Sequence, residues 1–410
     1  EIPLRLVGSE MCIRDRRLNS GDLEFSVEDV DNPVNWPRTL TLWRSNLFGS
    51  SAKGESYFLK HLVGSMDNVQ GSDSEKLPNE VKWVEDAPQG KLDLLVTSDF
   101  RMTSTTLLSD IVLPTATWYE KHDISSTDMH PFLHAFSPAI DPPWEAKTDH
   151  ETFKALAFEF SRLAKKHLGV RKDIVSVPLL HDTPGQIAQP GGHAPDWKNT
   201  PGMVGVPGKN MPNFVTVERD YGALYDMYTT VGPLFDKLGA TTKFITYDLK
   251  DEVAKMAKEF GVMDSGKGAG RPALDTDVKI SEAILMISGT SNGEVAVKGF
   301  KELEKQTGLH LMDLAEGNEE RRITFPMTQA APQPVMTSPE WSGSETGGRR
   351  YAPFTVNIEK KKPFHTLTGR MHFFLDHDWM HEMGEALPIY RPPLDLSLIH
   401  ISEPTRRRGI

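Results

Sequence analysis

The stretch from Arg38 to Val63 constrains the fold most. Residues 38–44, RTLTLWR, are apolar and β-branched, the composition of a buried strand. A loop of small residues follows, SNLFGSSAKG. Then comes ESYFLKHLV, residues 55–63, with Tyr57, Phe58 and Leu62 at helical spacing. A strand feeding through such a loop into a helix is the first half of a parallel crossover unit. Residues 92–97, LDLLVT, predict a second strand ending at Ser98-Asp99. Thr103 to Ser109 predict a short helix, and 110–113, DIVL, a third strand closed by Pro114. Strands joined by helical stretches argue for an α/β fold with a Rossmann-like parallel sheet whose faces are covered.

Downstream the pattern is interrupted more often. Residues 64–91 are polar and punctuated by Gly and Pro, a surface loop. Residues 149–168 carry Phe153, Leu156, Ala157, Phe160 and Leu163 at the spacing of an amphipathic helix. Residues 173–212, rich in Pro, Gly and His, read as an irregular excursion over the surface. Helices are expected over 220–238, 251–260, 280–287 and 294–307, with a flexible connection at 265–276 and an SGTSNG turn between the last two helices. A Gly/Ser-rich break at 340–351 precedes extended segments over 353–376 and a helix over 379–383. The expected organisation is therefore one α/β domain over 17–335, with a surface insertion at about 173–275. A linker and the start of a further domain follow over 336–396.

The two ends do not continue this pattern. Residues 1–16, EIPLRLVGSEMCIRDR, and 397–410, SLIHISEPTRRRGI, resemble translated sequencing-adapter peptides. They are expected to be non-native and are set aside in reasoning about the fold. The single cysteine, Cys12, lies in the first of them, which excludes a disulfide framework or a cysteine-ligated cluster in this chain. The net charge of −11 has the wrong sign for a nucleic-acid binder, so no nucleic-acid partner is expected. No apolar run approaches the roughly 20 residues that span a bilayer.

Two segments suit a nucleotide. A Gly/Ser loop between strand and helix offers backbone N–H groups to a phosphate, and Ser45, Ser50, Ser51 and Lys53 add hydroxyls and a charge. The loop has neither a GKS/GKT ending nor a GxGxxG spacing, so a plain strand-to-helix turn stands beside the phosphate reading. In the second segment, Ser98 to Asp110, Asp99 stands at the carboxyl end of a strand, where open α/β sheets bind ligands. Its carboxylate suits the N–H edge of a guanine or a ribose hydroxyl. The alternative is an ordinary helix N-cap with polar neighbours. His130 and His134 have the spacing of two ligands on one helix face, but Pro131 argues against a helix there, and His122 and His150 complete no pattern. His377 to His381, HDWMH, has Asp where a zinc-protease motif needs Glu, and a solvated helix start explains it as well.

Taken together, DFRMTSTTLLSDIVLPTATWYEKHD (99–123) resembles the signature of the molybdopterin oxidoreductase family, also called the dimethyl sulfoxide reductase family. NPVNWPRTLTLWRSNLFGSSAKG, DMHPFLHAFSPAIDPPWEAKTD and TLTGRMHFFLDHDWMHEMGEALPIYRPP narrow the likeness to alpha subunits of membrane-bound respiratory nitrate reductases. It runs from about Asp22 to Leu396. The resemblance implies a molybdenum centre held between two molybdopterin guanine dinucleotides and an internal fragment of a subunit that reduces nitrate to nitrite. Ser45, Asn46, Gly49 and Ser50 are implied near one dinucleotide's phosphates. Asp99 is implied to hold a guanine or ribose, with Thr103 and Thr105 beside it. Asp110 would support the site from behind, and Asp149 would contact guanine. The 4Fe-4S ligands and the molybdenum ligand are expected outside this fragment, which alone should be inactive. The implied partners are an iron–sulfur beta subunit and a haem-bearing membrane gamma subunit, with the complex's catalytic part peripheral on the cytoplasmic face. Two alternatives remain. One is a related enzyme for selenate, chlorate, perchlorate or nitrite; the other is a non-catalytic nucleotide-binding or subunit-interaction module.

Overall fold

The computed structural model describes residues 13–23, 29, 31–50, 55–64, 90–127, 130–177, 200–232, 235, 238–242, 245–336, 361, 364, 373–374, 378–382 and 384–387. The chain gathers into two compact units. One comprises Glu1–Thr115, Gln186–Met211 and Thr366–Ile410; the other comprises Ala116–Gly185 and Pro212–His365. The division at residue 115 falls inside the stretch read from sequence as one domain.

The first unit contains a three-stranded parallel sheet in the order β1 (Thr39–Trp43), β2 (Leu94–Asp99), β3 (Ile111–Pro114). Trp43 pairs with Ser98, and Asp99 pairs with Pro114, so all three strands finish at one edge. The strands expected at 38–44, 92–97 and 110–113 are each present. β1 departs from the expectation of full burial. Leu40 and Leu42 turn inward, while Thr39, Thr41 and Trp43 are exposed, the period-2 alternation of a strand covered on one face. Phe48, Leu59 and Leu95 form the core beside the sheet, with Leu40, Leu42, Leu47, Phe58 and Val63 packed around them. Burying one such side chain contributes about 1.5–3 kcal/mol.

The loop after β1 is shorter than expected, because Leu47–Ser50 coil into a helical turn, α1. Phe48 drops from that turn into the core and is fully buried. Glu55–Tyr57 then lead into a wider π-helical segment, Phe58–Val63. It stops at Gly64, which at φ +87° adopts the left-handed conformation that glycine takes at no steric cost. A second short helix, α2 (Ser104–Leu107), joins β2 to β3. Residues 13–20 are helical across the junction expected at residue 16, and Leu18 of that helix is buried.

In the second unit, β4 (Asp123–Thr127) and β5 (His130–Phe136) form an antiparallel pair, and α3 (Asp149–His167) is the amphipathic helix expected from sequence. Its start carries a capping box: the Thr148 hydroxyl accepts from Glu151 N, and the Glu151 carboxylate accepts from Thr148 N. The expected excursion over 173–212 is corrected at both ends. Val170–Val177 (β6) pairs along its whole length with Asn213–Asp220 (β7), an antiparallel ribbon. β-Branched residues at 170, 174, 175 and 177 carried that signal, masked by the Pro/Gly-rich middle. Residues 178–199 lie outside the described residues. The helix expected over 220–238 is interrupted: β7 runs to Asp220, Tyr221–Ala223 form a 3-10 turn leading into α4 (Leu224–Tyr228), residues 235 and 238 are again helical, and 233, 234, 236 and 237 lie outside the described residues.

A small hairpin, β8 (Ala240–Thr242) and β9 (Ile245–Tyr247), precedes α5 (Lys250–Phe260). The connection at 265–276 is built, not loose. Met263 N donates to Arg271 O at 2.8 Å, Leu274 N donates to Thr229 O at 2.8 Å, and Ala273 and Leu274 are buried. Then come α6 (Asp277–Ile287), α7 (Gly293–Thr307), α8 (Phe325–Ala330) and the two-residue strand β10 (Gln333–Pro334), which pairs with β5. Ile245, Leu249, Val295, Phe300 and Leu311 centre the largest apolar cluster among the described residues. Leu133, Leu285, Ile323 and Phe325 centre another.

The segments expected at 340–351 and 353–376 lie outside the described residues, apart from 361, 364, 373 and 374, as do 65–89 of the surface loop. The expected helix near 379–383 is seen at Asp378–Glu382. Among the described residues no helix is long and apolar enough to cross a membrane, and no group of three or more His, Cys, Asp or Glu side chains could hold a metal ion.

Candidate functional site

In the first unit the parallel sheet brings three strand tips together. Arg44 N donates to Ser98 O at 2.9 Å, and Thr115 N donates to Asp99 O at 3.1 Å. The hydroxyls of Ser98 and Thr115 meet at 3.1 Å. Asp99 closes β2 with 8% of its surface exposed, and its Oδ1 accepts from Phe100 N at 2.7 Å and Arg101 N at 3.1 Å. Two hydrogen bonds to its own turn fix this carboxylate at the edge where open α/β sheets receive ligands. Arg44 and Arg101 both lie against the Phe100 ring, their guanidinium carbons 5.5 and 5.4 Å from its centre. Arg44 holds φ at +52°, an uncommon conformation for a residue with a side chain, at the point where the chain leaves β1.

The loops after β1 and β2 are locked to one another. Asn46 Oδ1 accepts from Thr105 N at 3.2 Å and from the Thr105 hydroxyl at 3.0 Å. The same hydroxyl accepts from Phe48 N at 3.0 Å. Gly49 lies against Ser104 so closely that a Cβ there would stand 2.8 Å from Ser104 Cβ. This explains a small residue at position 49 by packing between α1 and α2.

The residues singled out from sequence therefore separate into three groups. Ser45 is exposed at the tip of β1, and Asp99 stands at the tip of β2; these two face the strand-end edge. Asn46, Gly49 and Thr105 hold the two loops together, and Thr105 is fully buried with its hydroxyl both donating and accepting. Thr103 caps α2 through a reciprocal pair with Thr106, the N-cap alternative that the sequence left open. Ser50 ends α1, while Ser51 and Lys53 lie outside the described residues.

Asp110 does not stand behind Asp99. Its Oδ2 accepts from Leu95 N at 2.7 Å, and its own N donates to Leu95 O at 3.0 Å. Leu95 is four residues back along β2, roughly 13 Å at the strand rise. Asp110 fastens the amino ends of β2 and β3, away from the carboxyl-end edge. The support expected from it is corrected accordingly. The sequence reading missed Arg44, Phe100 and Arg101. Their signal was position: each flanks a strand-end residue already chosen.

Asp149 belongs to the second unit, at the first residue of α3. Its Oδ2 accepts from Lys121 Nζ at 2.7 Å, and the same ammonium meets Asp123 Oδ2 at 2.5 Å. Its backbone position at a helix start favours a carboxylate. Among the described residues the histidines form no centre. His130 and His134 lie on β5, opposite Thr127 and Ser125, so the helical spacing they suggested does not apply. His150 stacks on Tyr228 with ring centres 5.6 Å apart.

Residues 35–159 match the family profile Molybdopterin oxidoreductase, and residues 238–359 match Nitrate reductase alpha chain, domain V. The chain belongs to the molybdopterin oxidoreductase family, and membership implies a molybdenum–pterin cofactor. Within the family it is similar to nitrate reductase alpha chains. It is 60% identical to the alpha subunit of Mycobacterium tuberculosis over 92% of this chain and 30% of that protein. It is 48% identical to the alpha chain of Bacillus subtilis over 92% of this chain and 31% of that protein. It is 46% identical to the respiratory nitrate reductase 2 alpha chain of Escherichia coli over 92% and 30%. The chain thus spans about a third or less of the length of these relatives. A perchlorate reductase alpha subunit from Dechloromonas aromatica is 25% identical over 88% of the chain.

The strand-tip residues fit a nucleotide-bearing pterin. Two guanidinium groups and an exposed serine suit a diphosphate, and a fixed carboxylate suits the donor edge of a base or sugar.

Proposed function

We propose that this chain is part of the catalytic alpha subunit of a respiratory nitrate reductase and contributes nucleotide contacts to a molybdenum bis(molybdopterin guanine dinucleotide) centre. The observation that carries the reading is the convergence of the β1 and β2 tips. Arg44 and Arg101 lie against the ring of Phe100, the residue after Asp99, and Ser45 is exposed where the chain leaves β1. The identities of 60%, 48% and 46% to nitrate reductase alpha chains support nitrate over the other oxyanions, against 25% for a perchlorate reductase.

On this reading, the bound cofactor supplies two-electron oxygen-atom transfer from nitrate, yielding nitrite. The chain's own residues bind and orient it. Ser45 with the guanidinium groups of Arg44 and Arg101 neutralises diphosphate charge. Asp99 accepts a hydrogen bond from the nucleotide; in the second unit, taken by itself, Asp149 is a carboxylate that accepts from a guanine. Asn46, Gly49 and Thr105 keep the loops in place, so no reordering is needed when the cofactor enters. A 4Fe-4S cluster, an iron–sulfur beta subunit and a haem-bearing gamma subunit at the cytoplasmic face of a membrane complete the assembly.

The reading is tested on the full-length alpha subunit purified with its partners. Molybdenum and guanine nucleotide should co-purify with it, and reduced dye should be oxidised faster with nitrate than with chlorate, perchlorate or selenate. Protein free of molybdenum and guanine nucleotide would support the non-catalytic module instead. Molybdenum-loaded protein that turns over another oxyanion and not nitrate would support the related-enzyme alternative.

A further inference from the structure

We infer that Lys121 is the positioning residue for Asp149: its buried ammonium sets the plane of the carboxylate that meets the guanine. The inference rests on the reading of Asp149 given above. The Lys121 side chain is 2% exposed, whereas that of Asp149 is 13% exposed and that of Asp123 is 39% exposed. A lysine is almost never buried to this degree unless it is paired, and burying an ammonium costs several kcal/mol without close anions. Its two partners come from different elements. Asp123 opens β4 and Asp149 opens α3, and Lys121 bonds each at 2.5 and 2.7 Å. The ammonium therefore ties the start of the helix to the start of the strand and pins Asp149 Oδ2 from its inner side.

The chemistry needs such a pin. A guanine edge offers parallel N–H donors, and a carboxylate matches them only when its plane is fixed. Each carboxylate oxygen has lone pairs enough to accept from Lys121 and from a ligand together. The neighbourhood also carries an excess of negative charge. Asp277 accepts from the Thr148 hydroxyl at 3.1 Å, and burial holds its carboxyl above the ordinary aspartate range, with Glu151 and Asp123 adding to the shift. Lys121 is the cation bonded to both Asp123 and Asp149 in this acidic corner.

The test uses the full-length protein purified with its partners, with guanine nucleotide released by acid and counted per subunit. Removing Lys121 alone leaves two carboxylates without their cation and risks misfolding. The informative variant is therefore Lys121→Met/Asp123→Asn, which keeps the net charge of the cluster. Asp149→Ala and Asp123→Asn are made alongside it. The expected result is a nucleotide content about tenfold lower in Lys121→Met/Asp123→Asn and in Asp149→Ala, with Asp123→Asn near the parent. Lys121→Arg, which keeps a cation between the two carboxylates, should retain nucleotide near the parent level, and a loss as deep as that of the double variant overturns the role. Full nucleotide content in the double variant, with Asp149→Ala depleted, overturns the role of Lys121 alone. Depletion in Asp123→Asn overturns it too, since the cluster would then be purely structural. Full content in Asp149→Ala overturns the underlying reading of Asp149.

Discussion

Asn46 and Thr105 join the two strand-end loops of the first unit: one side-chain oxygen of Asn46 accepts from both the backbone N and the hydroxyl of Thr105, at 3.2 and 3.0 Å. The pair lies behind the strand tips and fixes how β1 and β2 present Ser45 and Asp99. Its value is in placement more than in direct contact with a ligand.

Thr105→Val tests that placement. Valine matches the shape but removes the hydroxyl, leaving Phe48 N without its acceptor in a buried site. The expected cost is about 1–3 kcal/mol, the range for stranding a buried polar group. Hydrogen exchange on the full-length protein reads it as faster exchange at residues 46–50 with α7 unchanged. Exchange at those residues equal to the parent would show that the bond contributes nothing.

Gly49→Ala is expected to destabilise the same region by about 1–3 kcal/mol through overpacking. The added carbon would meet Ser104 and come within 2.7 Å of Asn46 Nδ2. Ser104→Gly should suppress the effect, so a double-mutant cycle should return a coupling energy well away from zero. Additive effects would place the clash elsewhere.

The Asp277 carboxyl gives a pH dependence of known sign. Burial raises its pKa in the folded chain above the ordinary aspartate value, despite the hydrogen bond from Thr148. Between those two values the folded state binds more protons than the unfolded state. Its contribution to stability therefore falls as pH rises through that window and stays low above it. Asp277→Asn keeps an acceptor for Thr148 and cannot ionise. It should melt higher than the parent at neutral pH, with the difference vanishing below the ordinary aspartate range. A constant difference across pH would remove ionisation as the cause.

The sheet was legible because β1, β2 and β3 are short apolar runs with sharp polar stops, and local pattern alone marks them. Their one-sided cover was not, since Thr39 and Thr41 are β-branched and blend into an apolar run although they alternate with Leu40 and Leu42. β6 and β7 escaped notice because their pairing spans more than thirty residues, and no local signal carries register over that distance. Asp99 was singled out by its position at a strand end and Ser45 by its hydroxyl in the Gly/Ser loop, and both lie at the carboxyl-end edge of the sheet. Thr103, Thr105 and Asp110 belong to the same sequence stretch, yet the fold uses them for capping, loop locking and strand alignment. Side-chain type does not distinguish a ligand contact from a support when both need the same hydroxyl or carboxylate. Lys121 gave no sequence signal, because its partners Asp123 and Asp149 meet only through the fold.

The most direct measurement is the guanine nucleotide and molybdenum content of full-length protein carrying Asp99→Ala, purified with its partners and compared with the parent. With the strand-tip carboxylate removed, nucleotide and molybdenum should fall together by about tenfold, while the melting of the protein shifts little. Unchanged content of both, with the protein folded, would contradict the assignment of the β1 and β2 tips as a cofactor site.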